Sequence, residues 1–278
     1  MNPVLTFTKQ ALLFFGLAVV FVALVALGNL TYDGAVSMLE ESEGGDYYCN
    51  VQGIELHGGL YTYIPSVEGE DPSVYESLYT DTVASESIVG QIRMAEEDES
   101  IKAILVEIDS SGGGPVAGEE VMRAMKESTK PVVALIREQG LSAAYLAATG
   151  ADRIFASESS DVGSIGVTMS YLEEADPDGK YNQISSGKFK DAGNPSKPLT
   201  EEERQLFMRD VLILHENFVR MVSENRNLPI EKVKAIADGS SVLGATAKQL
   251  GLIDEIGGWT EAEKYLEGVI GEKAEVCW

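Results

Sequence analysis

An α/β fold, with a largely parallel sheet core, flanking helices and one preceding N-terminal transmembrane helix, is predicted by three features of the 278-residue sequence. Apolar runs and amphipathic stretches alternate along most of the chain, the pattern that yields parallel strands joined by right-handed crossovers. The run KAILVEIDS at 102–110 is almost continuously apolar, as strands covered on both faces are. Residues 11–28, ALLFFGLAVVFVALVALG, are 18 positions without a charge, just enough helix to cross a hydrocarbon core of ~30 Å.

The termini of that apolar segment set its orientation. Lys9 precedes it, no Lys or Arg follows until Arg93, and Asp33, Glu40, Glu41 and Glu43 crowd the far side. The positive-inside bias puts residues 1–10 in the cytoplasm, makes 11–28 a single-pass anchor in the cell membrane, and places the rest of the chain on the extracytoplasmic side. Ala26-Leu27-Gly28 imitates a small-x-small cleavage site, but a signal-peptide apolar region usually runs only ~7–15 residues, so an uncleaved anchor is the favoured reading. Residues 29–47 read as an acidic, Gly-containing linker, and 48–278 as one catalytic-sized domain without internal repeats.

Within that domain each element has a local cause. Val51 to Leu56 is a first strand, and Ile88, Val89 and Ile92 set helical spacing over Ser85 to Asp98. The strand at 102–110 is followed by a helix over about Ala117 to Glu127 and the strand PVVALIRE at 131–138. Thr200 with Glu203 forms a capping box opening a helix that runs to about Asn225.

Composition narrows the function classes. At 44% hydrophobic the chain can bury a full core. Lys plus Arg number 21 against 45 Asp plus Glu, so 21 − 45 gives −24, a charge that repels a nucleic-acid backbone. There is no CxxC and no histidine cluster, so no metal is expected, and no cofactor is called for. Cys49 and Cys277, 228 positions apart, leave pairing and compartment open.

Two strand-to-helix junctions carry the candidate chemistry. DSSGGGP at 109–115 leaves one strand and enters a helix; three glycines permit a sharp turn with unshielded N–H groups beside a helix N-terminus, able to receive an oxyanion. The loop lacks the Gly-Lys-Ser/Thr of a P-loop and the spacing of a dinucleotide fingerprint. The next junction holds Ser142 in QGLSAAYLAA. A serine there caps helices more often than it attacks carbonyls, yet in a parallel sheet both junctions open on one edge and face each other. Ser164, in a second serine-rich stretch, is a further candidate.

The usual base is hard to place. His215 reads as a partly exposed helical residue and His57 as a turn residue before Gly58-Gly59. A lysine whose amine is desolvated can take a serine proton instead, and residues 184–200 offer Lys188, Lys190 and Lys197 in a loop rich in turn formers.

Together these segments resemble the signal peptide peptidase A family of membrane-anchored serine proteases, peptidase family S49, relatives of the Clp protease and crotonase folds. The resemblance covers roughly residues 50–270. It rests on SSGGGP at 110–115 against S-P-G-G-G-V, and SAAY at 142–145 against the A-S-G-G-Y-Y serine motif. GADRIFA at 150–156 and GSIGV at 163–167 follow in the same order, then SGKFKD at 186–191 against S-G-x-x-K-D, and ATAKQLGLIDEIGG near the end. It implies a Clp protease/crotonase-like core, a Ser142 nucleophile and a Lys190 general base. Lys188 falls at a variable position. The backbone N–H groups of Gly113 and Ala143 would form the oxyanion hole.

The resemblance further implies a homo-oligomeric ring in which serine and lysine come from neighbouring subunits, and peptide substrates: remnant signal peptides or other membrane-derived or unstructured peptides, cleaved after small or apolar side chains. Three positions depart from the motifs. Ala143-Ala144 stands where the family has Gly-Gly, so a turn needing positive φ there would be strained; Ser111 replaces a proline; and Pro115 has no N–H to donate. Two other readings stand beside the protease: a crotonase-like acyl-CoA enzyme using the glycine-loop oxyanion hole, and a catalytically impaired membrane-tethered scaffold.

Overall fold

The computed structural model describes residues 49–64, 81–173 and 182–278. The predicted transmembrane segment 11–28 and linker 29–47 lie outside the described residues. Among the described residues no helix is long and apolar enough to cross a membrane.

Strand and helix alternate as the periodicity predicts. In order come β1 (Val51–Tyr61), β2 (Thr82–Ala84), α1 (Ser85–Glu97), β3 (Ala103–Gly113), α2 (Pro115–Glu127), β4 (Val132–Leu141), α3 (Ser142–Ala148), β5 (Arg153–Ala156) and β6 (Asp161–Gly163). There follow α4 (Glu201–Asn225), α5 (Ile230–Lys234), β7 (Ser241–Leu243), α6 (Gly244–Leu250), β8 (Glu255–Ile256), α7 (Trp259–Ile270) and β9 (Val276–Cys277). The main sheet runs β2-β1-β3-β4-β5-β8, all parallel, with β9 parallel to β1 and β6 parallel to β4. Only β7 is antiparallel among these pairs, against β6.

The two-residue period of a strand divides the core. Ile54, Leu56, Ile104, Val106, Ile108, Val132, Ala134 and Ile136 pack with Ile88 and Ile92 of α1, Val121 and Met125 of α2, and Tyr145 of α3. Val51, Ala103, Leu105, Val133, Leu135 and Phe155 face the other way, onto Ala262 and Leu266 of α7. Covering on both faces is why the run at 102–110 reads as continuously apolar. Its one interior charge, Glu107, is 8% exposed. Arg137 donates to it at 2.6 Å and His57 Nε2 lies 3.0 Å from its other oxygen, so the carboxylate is paired as a buried charge must be.

The chain ends are stapled. Cys49 and Cys277 form a disulfide, and β9 runs parallel to the start of β1, with Val51 opposite Val276. Trp278 lies over Gly53, where any Cβ would come within 2.7 Å of its ring, and its own ring meets Trp259 edge-on at 5.2 Å. Closing a loop of 228 residues restricts the unfolded chain, an effect worth roughly 2–5 kcal/mol for native disulfides. The C49S/C277S variant is accordingly expected to unfold at lower urea with an unfolding free energy reduced by a few kcal/mol, and wild type in reductant to behave alike; equal midpoints with and without reductant would show that the bond adds nothing.

Candidate active site

Position 113 is the point on which the site is built. The predicted glycine loop continues β3: Gly112 and Gly113 pair with Gly59 and Leu60 of β1 after a register shift. A Cβ on Gly113 would stand 2.0 Å from the Leu60 carbonyl oxygen, so no side chain fits there. Gly114 N–H donates to the same carbonyl at 2.8 Å. Alternation along a strand then directs the Gly113 amide away from β1, toward the edge where α3 begins. Ser110, wholly buried, donates its hydroxyl to Gly58 O at 2.5 Å and accepts from Gly112 N–H at 3.1 Å, fixing the turn from within. Ser110 has no role in the reading from sequence; its place two positions before the glycine run was its only signal.

Ser142 is the first residue of α3, at φ 51°. A non-glycine residue in left-handed backbone is uncommon, and such strain gathers at functional sites. The helix has no side-chain cap, so the helix-cap reading of Ser142 does not hold. Its hydroxyl makes no hydrogen bond among the described residues. Gly112, at φ 101°, lies so close that a Cβ there would stand 2.8 Å from Ser142 Cβ and 3.0 Å from Ala143 N. The nucleophile candidate, the Ala143 amide and the Gly113 turn therefore converge, and all three line one cavity of about 660 Å³.

The positive φ falls on the serine, and Ala143 and Ala144 are helical and buried. The strain anticipated for replacing Gly-Gly does not arise. The Ala143 methyl is admitted by Gly118 of α2, where a Cβ would meet Ala143 O at 2.6 Å and Ala143 Cβ at 3.1 Å. Pro115 is the first residue of α2, a position whose N–H has no partner within the helix, so its missing donor costs that helix nothing.

The far wall of the cavity is apolar, with Leu146, Leu214, Phe218 and Met221. Ser164 also lines it, at φ 52°, donating its hydroxyl to Gly239 O at 2.9 Å. So does His215, a partly exposed helical residue as read from sequence, but one given no part in the site there. Its Nε2 lies 2.9 Å from Ala237 O; a carbonyl only accepts, so Nε2 carries the hydrogen. That bond holds the 237–239 turn against the cavity.

Lys190 is elsewhere. It sits in an exposed turn, its N–H donating to Gly187 O at 3.1 Å, and is not among the cavity-lining residues. Its ammonium makes no ion pair or hydrogen bond among the described residues. Lys188 pairs with Glu202 and Lys197 with Glu203, each at 2.5 Å. The structure thus brings together Gly113, Ser142 and Ala143 and leaves Lys190 outside their cavity. No group of three or more metal-ligating side chains occurs among the described residues.

A family model for peptidase family S49 matches residues 124–270, just over half of the chain. The chain belongs to peptidase family S49. The match takes in Ser142 and Lys190 and begins after the glycine turn. Among similar proteins are a putative protease of Methanocaldococcus jannaschii, MJ0651, 37% identical over 62% of this chain and 57% of its own. A putative signal peptide peptidase SppA of Enterococcus faecium is 31% identical over 62% and 52%. The chloroplastic serine protease SPPA of Arabidopsis thaliana is 32% identical over 65% and 28%. This S49 chain spans about half the length, or less, of these curated relatives. A ClpP1 variant from Listeria monocytogenes superposes with a TM-score of 0.48 at 14% identity, over 75% of this chain and 92% of that one.

Two measurements probe this geometry. Gly113→Ala should lose about 1–3 kcal/mol of stability through overpacking against Leu60; unchanged stability would mean the turn is looser than the 2.0 Å approach indicates. Glu203 is held down to about pKa 2 from 4.5, chiefly by the Lys197 ammonium and then by the Thr200 N–H, outweighing burial. A depressed carboxylate stabilises fully above its unfolded pKa and loses that contribution as pH falls through the folded one, here from roughly 4.5 to about 2. E203Q should therefore lose less stability than wild type across that window in acid unfolding titrations, and parallel curves would refute the linkage.

Proposed function

We propose that the chain is a membrane-anchored serine endopeptidase acting through a Ser-Lys dyad, with Ser142 as nucleophile and Lys190 as general base. The observation that carries this reading is Ser142 itself: strained, uncapped and facing a cavity beside the Gly113 turn. A neutral lysine amine takes the proton of Ser142 Oγ as that oxygen attacks a peptide carbonyl. The charge that develops on the carbonyl oxygen is met by the N–H groups of Gly113 and Ala143, donors fixed before the reaction begins. Collapse of the tetrahedral adduct expels the amine, which takes its proton from the lysine, and water then hydrolyses the acyl-serine with the amine again acting as base.

Lys190 reaches Ser142 from a neighbouring protomer in this reading, and the assembly is a ring. Exposed apolar side chains on the lysine loop and on α4 support it: Ile184, Phe189, Met208, Leu212 and Ile213 are each more than two-fifths exposed, the kind of patch that marks a contact surface. Covered by a second copy, the loop would lose water, the condition under which a lysine amine can be neutral at working pH. The apolar cavity wall supports peptides with apolar side chains at the cleavage point, such as remnant signal peptides. The Cys49–Cys277 disulfide supports an oxidising compartment and agrees with an extracytoplasmic domain behind an anchor at 11–28.

Fluorophosphonate labelling of wild type should tag Ser142, with S142A unlabelled and K190A labelled at least about 100-fold more slowly, the scale of general-base assistance. Peptidase activity should reappear on mixing S142A and K190A subunits. An acyl-CoA enzyme would be indifferent to S142A, and a scaffold would be unlabelled throughout. Failure to regain activity in verified mixed assemblies would defeat the shared dyad.

A further inference from the structure

We propose that Glu203, Lys197 and Tyr171 form a clamp that positions the Lys190 loop, so that Glu203 and Tyr171 act on catalysis through the placement of the lysine. The inference rests on Lys190 being the base. Between residues 182 and 199 the chain forms no helix or strand. The bonds joining Lys190 to Gly187 and Ala192 to Phe189 are local turns, which shape the loop but do not attach it to the domain.

A buried attachment lies at its carboxyl end. The Glu203 carboxylate is 4% exposed and accepts from Lys197 Nζ at 2.5 Å, Thr200 N–H at 2.9 Å and Thr200 Oγ1 at 2.9 Å. Tyr171 places its hydroxyl between the carbonyls of Lys197 and, at 3.2 Å, Asn194. Tyr171 follows the cavity-lining residues Ser164 to Thr168 by three positions, so the clamp joins the cavity wall to the loop that bears the lysine. The tie of Lys188 with Glu202 has both side chains 61% exposed and holds little.

Helix capping alone does not account for these contacts. A capping box needs Thr200 and Glu203, and α4 has it. It does not need an ammonium at 197 buried to 18% exposure, nor a tyrosine aimed at backbone carbonyls on the loop. The charged groups around the clamp are Lys197, Glu203, Glu173, Lys188 and Glu202. Glu173 and Glu203 bear on the Tyr171 phenol, whose proton loss is pushed upward, first by burial, so it stays a donor at any working pH. A base misplaced by an ångström forfeits much of its rate, and six residues separate Lys190 from Lys197, short enough for an anchor at one to limit the other.

The test uses the full chain in membranes or detergent, with a fluorogenic apolar peptide. Y171F, E203Q and K197M should each lower kcat about tenfold or more while KM changes less than about threefold, and move the ascending limb of the pH–rate profile to higher pH as the amine becomes better hydrated. K197R, which keeps the charge, should retain most of the activity. Limited proteolysis should cut between 182 and 199 faster in all three, with unchanged far-UV circular dichroism. If E203Q fails to fold, Y171F, which removes a single oxygen, decides. Wild-type kcat, pH profile and proteolysis in Y171F and K197M would overturn the clamp while K190A stays inactive. An active K190A would instead remove the dyad reading on which it rests.

Discussion

Everything at the site depends on how closely β3 approaches β1 at its carboxyl end. Leu60 O stands where a Cβ of Gly113 would be, and it receives the amide of Gly114. Close approach of two backbones leaves the intervening amide, that of Gly113, directed toward α3, and it brings Gly112 against the first residue of that helix. The left-handed turn at Ser142 follows from the same crowding: with Gly112 beneath it, the chain leaves β4 and enters α3 in a single step. A side chain at either glycine would open the gap, and the hydroxyl and the amides would no longer converge.

The second constraint is exerted by α4. His215 holds the 237–239 turn through Ala237 O, that turn meets Ser164 and Ile165, and Glu203 at the helix start holds the loop that carries Lys190. One long helix therefore fixes both the cavity wall and the lysine loop, which explains why a residue far from the cavity in sequence has leverage on it. Its exposed apolar positions, Met208, Leu212 and Ile213, lie between those two anchors. Anything that packs on them bears on both.

Much of this was legible in the sequence, for reasons tied to particular residues. The alternating apolar runs gave the parallel α/β core because a strand covered on both faces has no choice but to be apolar throughout. Thr200 and Glu203 announced α4 because a capping box is a local bond between near neighbours. The glycine run misled in one respect: read as a loop, it is the last stretch of β3, since Gly59 and Leu60 supply pairing that outweighs glycine's poor strand propensity. His215 and the disulfide were not legible. Which face α4 turns to the cavity is set by Phe218, Met221 and Val222 packing inward, and the bond between Cys49 and Cys277 is set by β9 settling beside β1. Both are long-range outcomes that no local spacing records.

The replacement of Gly-Gly by Ala143-Ala144 shows how a departure from a family motif can be absorbed by a neighbour. In isolation two methyls after the serine argue for strain. In the folded chain the helix turns them inward, and Gly118 on α2 leaves the space that Ala143 fills. The bare Cα of Gly118 and the Ala143 methyl fit each other, so both alanines stay helical and buried behind Ser142. The cost of the two methyls is thus set by the space the facing helix leaves for them, and at Ala143 that space is the missing side chain of Gly118.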